Sequence, residues 1–139
     1  MKKLDNFINC LTILANADFK MAETNDIYRT GVIGQFNLTF ELAWKALQEI
    51  MRKHGVEDSS TGTPREILQL GYKFGFIDDS ETWLLMLKKC NTSVHIYNEE
   101  EVDELILLIR DSFIPVFTVL KDTLVKKLDE EESNWEKNL

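Results

Sequence analysis

Residues 90–97, Cys-Asn-Thr-Ser-Val-His-Ile-Tyr, hold the densest run of chemically capable side chains in the chain. His95 is the general-base candidate of that run, because an imidazole titrates near neutrality, at about 6.5. Its simpler role is a histidine at a helix end, bonded to a carbonyl. Asn91 stands four residues earlier, so the two share a face wherever the helix continues that far. Asn91 then either orients His95 or binds a backbone carbonyl. Tyr97 offers a phenol, either as a hydrogen-bonding cap or as the acceptor in a group transfer. Cys90 is a nucleophile only where a nearby cation lowers its pKa; otherwise it is a buried, inert thiol.

A second set lies upstream. Glu41 and Lys45 form an i,i+4 pair in the favourable order. They stand among Phe40, Leu42, Ala43 and Trp44, so the pair either lines a groove or is a surface ion pair of small worth. Arg65 follows Thr63-Pro64 at a helix start. There it either binds an anion with the free N–H groups of the first turn or belongs to a plain capping box with Glu66. Two cysteines and two histidines make no metal-ligand spacing, so no metal site is expected. Gly-rich phosphate loops, Gly-x-Ser-x-Gly elbows and the Gly-Ser plus spaced Asp pattern of a nucleotidyltransferase are missing.

These side chains need elements to place them, and the elements read as helices. Leu4, Phe7, Ile8, Leu11, Leu14 and Ala15 make one apolar stripe over 2–16. A longer pattern over 24–54 carries Val32, Phe36, Phe40, Ala43, Trp44, Leu47 and Met51. Thr24 or Asn25 caps its start and Gly55 follows its end. Gly31 and Gly34 lie inside it, each about 1 kcal/mol worse than Ala, which predicts a close approach of another helix or a local break. Thr63-Pro64-Arg65-Glu66 starts a short helix to about Lys73, bearing Ile67, Leu68 and Tyr72. Asp78–Glu81 opens the next, with Trp83, Leu84, Leu87 and Cys90 inward. Asn98 and three glutamates open the last, whose stripe runs from Val102 to Leu128 and should bend at Pro115. The expected fold is all-α, an up-down antiparallel four-helix bundle with one short extra helix. The bundle domain spans 1–128, and 129–139 is an acidic C-terminal tail.

Composition narrows the function. Of 139 residues 44% are hydrophobic, which suffices for one core. The formal net charge is −8, which removes the non-specific attraction that dominates much nucleic-acid binding, so RNA binding is expected to be weak. The basic clusters Arg52-Lys53-His54, Lys88-Lys89 and Lys126-Lys127 are short and read as solvated faces. No stretch approaches the ~20 apolar residues of a membrane span, and the N-terminus lacks a signal-peptide core. With unpaired cysteines, this predicts a cytoplasmic protein that does not engage membranes.

Three stretches together resemble a known family: Gly31-Val-Ile-Gly-Gln-Phe-Asn-Leu-Thr-Phe-Glu-Leu-Ala-Trp-Lys45, Pro64-Arg-Glu-Ile-Leu68, and Trp83-Leu-x-Met-Leu through Asn91-x-x-x-His95-x-Tyr97. The chain is similar to nucleotidyltransferase substrate-binding proteins, a branch of the HEPN helical proteins that includes HepT-like toxins, over about residues 1–128. The resemblance implies a dimerising helical bundle that pairs with a separate minimal nucleotidyltransferase chain in a toxin–antitoxin-type module. Mg²⁺ and ATP belong to that partner, which transfers AMP to a tyrosine that Tyr97 matches. His95 matches the histidine of a ribonuclease motif, and Asn91 the polar residue beside it. The motif's arginine position holds Cys90, which cannot stabilise phosphate charge through a planar fork. Lys89 is about 100° away around a helix and points elsewhere. The expectation is therefore a non-catalytic homodimeric partner, with Glu41, Lys45, Arg65 and Cys90 in its groove. The alternative is a metal-independent ribonuclease toxin using His95 and Asn91.

Overall fold

The computed structural model describes residues 1–93 and 98–137, with side chains to Ser133. The described residues are helical, without strands: α1 (Lys2–Ala15), α2 (Phe19–Thr24), α3 (Asp26–Lys53), α4 (Pro64–Lys73), α5 (Ser80–Thr92), α6 (Glu99–Leu108), a π-helical turn (Ile109–Phe113) and α7 (Ile114–Lys137). None of the described helices is long and apolar enough to cross a membrane.

α3 is the hub, and every other α-helix packs against it. Its buried residues recur at helical spacing, from Val32 through Phe36, Phe40, Ala43 and Leu47 to Met51. The stripe of α1 supplies Leu4, Phe7, Leu11 and Leu14 to the same core. Aromatic rings knit the elements together. Phe36 of α3 stacks on Phe113 of the π turn at 5.2 Å between centroids. Trp83 of α5 meets Phe117 of α7 edge-on at 5.6 Å, and Phe7 of α1 meets Phe117 at 6.1 Å. Edge-on and stacked pairs at such spacings add to plain area burial.

Four features depart from the sequence reading. The helix expected from 24 begins at Asp26, and a separate α2 precedes it. Asn25 is extended and closes α2 while capping α3, accepting from the Tyr28 N–H at 2.8 Å. An asparagine side chain competes with the helix for backbone donors, which is why the chain breaks there. Gly31 and Gly34 mark neither a break nor an approach: α3 is continuous through both, and a Cβ at either meets nothing within 4 Å. The close approach is at Gly71, where a Cβ would stand 3.0 Å from Leu47 Cδ2. Gly71 is buried against α3 and Tyr72 is 53% exposed, so the inward residues of α4 are Ile67, Leu68 and Gly71. Lastly, Pro115 is preceded by the π turn. The Ile114 N–H reaches back five residues to the Ile109 carbonyl. A wide turn moves aside the carbonyl that a proline ring would strike, and it leaves Phe113 and Phe117 both fully buried. Beyond it α7 runs to Lys137.

Local signals are realised as written. The Thr63 hydroxyl accepts from the Glu66 N–H at 3.2 Å and the Glu66 carboxylate reaches the Thr63 N–H, with Pro64 at the first helical position. Gly55 after α3 has φ +73, a backbone shape that suits glycine. Asp79 caps α5 and Asn98 caps α6.

Candidate functional site

The polar residues of α3 that matter lie at 37, 41 and 45, one helical turn apart, where the C-terminal end of α5 comes against the helix. Glu41 bonds Lys45 at 2.9 Å and also accepts from Trp44 Nε1 at 3.1 Å. Both partners of the ion pair are about half exposed, so the pair stands at the border of core and solvent. Partial burial pushes the Glu41 carboxyl up, but the Lys45 ammonium and the Trp44 N–H together hold it below the ordinary carboxylate value.

Cys90 stands near enough to feel that carboxylate. Burial, and secondarily the Glu41 charge, push its thiol up to about 12. At neutral pH the sulfur is protonated and unreactive, as expected of a half-buried thiol beside a carboxylate. Asn37 completes the junction. Its Nδ2 donates to Ser93 Oγ at 2.9 Å, and Ser93 Oγ donates to the Cys90 carbonyl at 3.1 Å. Asn37 Oδ1 is buried without a hydrogen-bond partner among the described residues.

The predicted site residues therefore separate. Glu41, Lys45 and Cys90 come together on the α3–α5 face. Asn91 is exposed, one position beyond Cys90 around α5. Lys89 turns the other way and pairs with Glu104 of α6 at 3.7 Å. Arg65 is exposed at the start of α4. His95 and Tyr97 lie outside the described residues. Among those that are described, no group of three or more His, Cys, Asp or Glu could hold a metal ion.

Two contributors were missed by sequence reasoning. Asn37 stands one turn before Glu41, and that spacing alone could have flagged it. Arg29 gave no signal: it is only 6% exposed, yet it bonds Asp103 of α6 and lies 3.7 Å from Glu99 and 3.9 Å from Asp26. Asp103 is 74 residues away in the chain, a distance over which no periodicity speaks.

Compared with known proteins, residues 2–126 match a family model described as "Nucleotidyltransferase substrate binding protein like". None of the curated proteins matches the chain.

Proposed function

The chain belongs to the family of nucleotidyltransferase substrate-binding-protein-like proteins, and from that membership we propose that it is the helical partner of a separate minimal nucleotidyltransferase chain. The observation that carries the reading is the α3–α5 junction. There Glu41, Lys45 and Asn37 form a polar row on α3 beside the end of α5, which leads in sequence into the segment that bears His95 and Tyr97. In this reading α1, α3, α5 and the α6–α7 rod form an up-down bundle of the HEPN type, working as a cytoplasmic homodimer in a toxin–antitoxin-type pair.

Tyr97 is the proposed acceptor. Its phenolic oxygen attacks the α-phosphorus of ATP held by the partner, the bond to pyrophosphate breaks, and the phenol proton leaves to a base. A phenol has an ordinary pKa of about 10, so it is a weak nucleophile until deprotonated. His95 is two residues away and would point to another side of a helix, so the activating charge falls to the partner's Mg²⁺.

This reading is favoured over RNA cleavage by what stands at the position of the ribonuclease motif's arginine. Cys90 is a neutral thiol, and Lys89 is engaged elsewhere. Phosphate charge then lacks a preorganised donor, a loss worth about 10²–10³ in rate. The homodimer is supported by a groove of about 380 Å³ between α1 and α3, lined by Ile13, Tyr28, Gly31 and Ile27, the last 86% exposed.

The test is co-expression with the neighbouring nucleotidyltransferase, then incubation with Mg²⁺ and ATP and intact-mass measurement. Wild type should gain one nucleotide and Tyr97→Phe none. Equal labelling of both removes Tyr97 from the mechanism; failure to co-purify removes the partnership.

A further inference from the structure

We propose that the cleft between the start of α5 and α7 binds a small organic cation, an ammonium set beside a hydrogen-bond acceptor on an apolar body. The cleft lies at the end of α5 away from Cys90. Asp79 and Cys90 are eleven residues apart, or about 16 Å along the helix axis. The site is thus separate from the α3–α5 face and independent of any nucleotidyltransferase.

The cleft encloses about 350 Å³, which falls among small-molecule sites, whose range starts at about 300 Å³. Phe76 and Trp83 line it on one side, and Pro115 and Val119 of α7 on the other. Both sides are held in place before any ligand arrives. The Phe76 and Ile77 N–H groups donate to the Gly71 carbonyl at 2.8 and 3.2 Å, which pins the connection from α4 to α5. On α7, the π turn ends two residues before Pro115. Turns of that kind are rare and frequently stand at functional sites.

Three groups in the lining define the ligand. Asp79 is fixed by its capping role: Oδ1 accepts from the Thr82 N–H at 2.9 Å and Oδ2 from the Thr82 hydroxyl at 2.6 Å. A carboxylate oxygen has two lone pairs, so both atoms keep room for another donor. Asp78 adds a second negative charge to the same cleft. Among the described residues no lysine, arginine or amino terminus pairs with either carboxylate. The third group is Trp83, which is 2% exposed. Its indole N–H meets no acceptor among the described residues, whereas that of Trp44 bonds Glu41. Nor is that nitrogen sealed off, since the buried polar atom without a partner is Asn37 Oδ1. An ammonium satisfies the carboxylates, an acceptor beside it takes the indole N–H, and the apolar body covers the aromatic walls. An anion is repelled by the two aspartates, and a wholly apolar ligand leaves the charges and the N–H unmet.

The experiment titrates the isotope-labelled full chain at neutral pH with phenylethanolamine, styrene glycol and mandelate. The three share a phenyl ring and a hydroxyl and differ in carrying an ammonium, a second hydroxyl or a carboxylate. Phenylethanolamine should move the Trp83 indole N–H resonance and the amides around Asp79 and Val119. Styrene glycol should bind about tenfold more weakly, the difference between a charge-assisted and a neutral hydrogen bond, and mandelate should not bind. The double variant Asp78→Asn, Asp79→Asn should bind the amine no better than the glycol. Asparagine caps a helix as well as aspartate, so that variant keeps the start of α5. Val119 is 53% exposed, so Val119→Phe folds and should narrow the mouth, weakening amine and glycol alike. Glu100→Gln with Glu101→Gln removes the same charge from α6 and should leave binding as in wild type. Equal affinity for amine and glycol overturns the cation. Wild-type affinity in the double aspartate variant, or equal weakening by the α6 pair, reduces the binding to general attraction by an acidic protein and overturns the site. A Trp83 resonance that stays still throughout the amine titration overturns it too.

Discussion

Cys90 is where sequence and structure meet most sharply at the scale of a residue. Its thiol is pushed up to about 12 by burial and by the Glu41 carboxylate. At pH 8 only about one thiol in 10⁴ is ionised, so alkylation of Cys90 should be slow. In a Cys10→Ser background, iodoacetamide should modify the native protein at least a hundredfold more slowly than the urea-unfolded chain. Glu41→Gln should speed the native reaction, because one of the two causes of the shift is gone. The same shift has a sign for stability. The unfolded thiol ionises near its ordinary value of about 9 while the folded one stays protonated, so stability is complete below pH 9 and declines as pH rises toward 12. Cys90→Ala should flatten that decline in chemical denaturation measured from pH 8 to 10.5. For RNA, wild type should cleave a mixed substrate little or not at all, and Cys90→Arg should gain activity. Strong wild-type cleavage lost in His95→Ala would establish the toxin in place of the partner.

At the scale of an element, the glycines of α3 and α4 make a paired prediction. Gly31 and Gly34 face open space, so alanine at either site should stabilise α3 by about 0.5–1 kcal/mol through backbone entropy alone. Gly71 gains the same helix propensity from alanine but places a Cβ 3.0 Å from the Cδ2 of Leu47, which is fully buried in the core. Overpacking of that kind costs about 1–3 kcal/mol, which exceeds the gain, so Gly71→Ala should destabilise. Thermal unfolding of the three variants decides it: midpoints up by about 3 °C for Gly31→Ala or Gly34→Ala, and down for Gly71→Ala. A gain in Gly71→Ala would mean that Leu47 can shift and that the α3–α4 contact is looser than its geometry.

The whole molecule carries a net charge of −8 and leaves Ile13 and Ile27 in solvent at 61% and 86% exposure beside the α1–α3 groove. Sedimentation at micromolar concentration should give the mass of a dimer, and Ile27→Glu should shift it toward the monomer. A monomeric wild type would remove the homodimer. The partner should dock where α3 presents Glu41 and Lys45. Reversing one charge turns an attractive pair into like charges, so Lys45→Glu should weaken the complex by tenfold or more, measured by calorimetric titration. Unchanged affinity with the fold intact would place the docking face elsewhere.

Much was legible without coordinates because it is local. The Thr63–Glu66 box, the Asn98 cap, Gly55 after α3 and the buried stripe of α1 each follow from residues within a few positions of one another, and backbone sterics and hydrogen-bond geometry act at that range. The association of Glu41 with Cys90 was legible only as a suspicion, from charge inside an apolar run and from the resemblance. Three things were decided by the tertiary structure. Gly31 and Gly34 show their helical cost in the sequence, but what stands opposite a glycine does not, and the close contact belongs to Gly71. Arg29 is an ordinary charged residue until α6 brings Asp103 onto it, 74 positions later. Asn37 becomes part of the site only because the end of α5 lands on its face of α3. Propensity and capping are properties of neighbours in the chain, whereas burial, unpaired acceptors and long-range ion pairs are properties of neighbours in space, which exist only once the helices have packed.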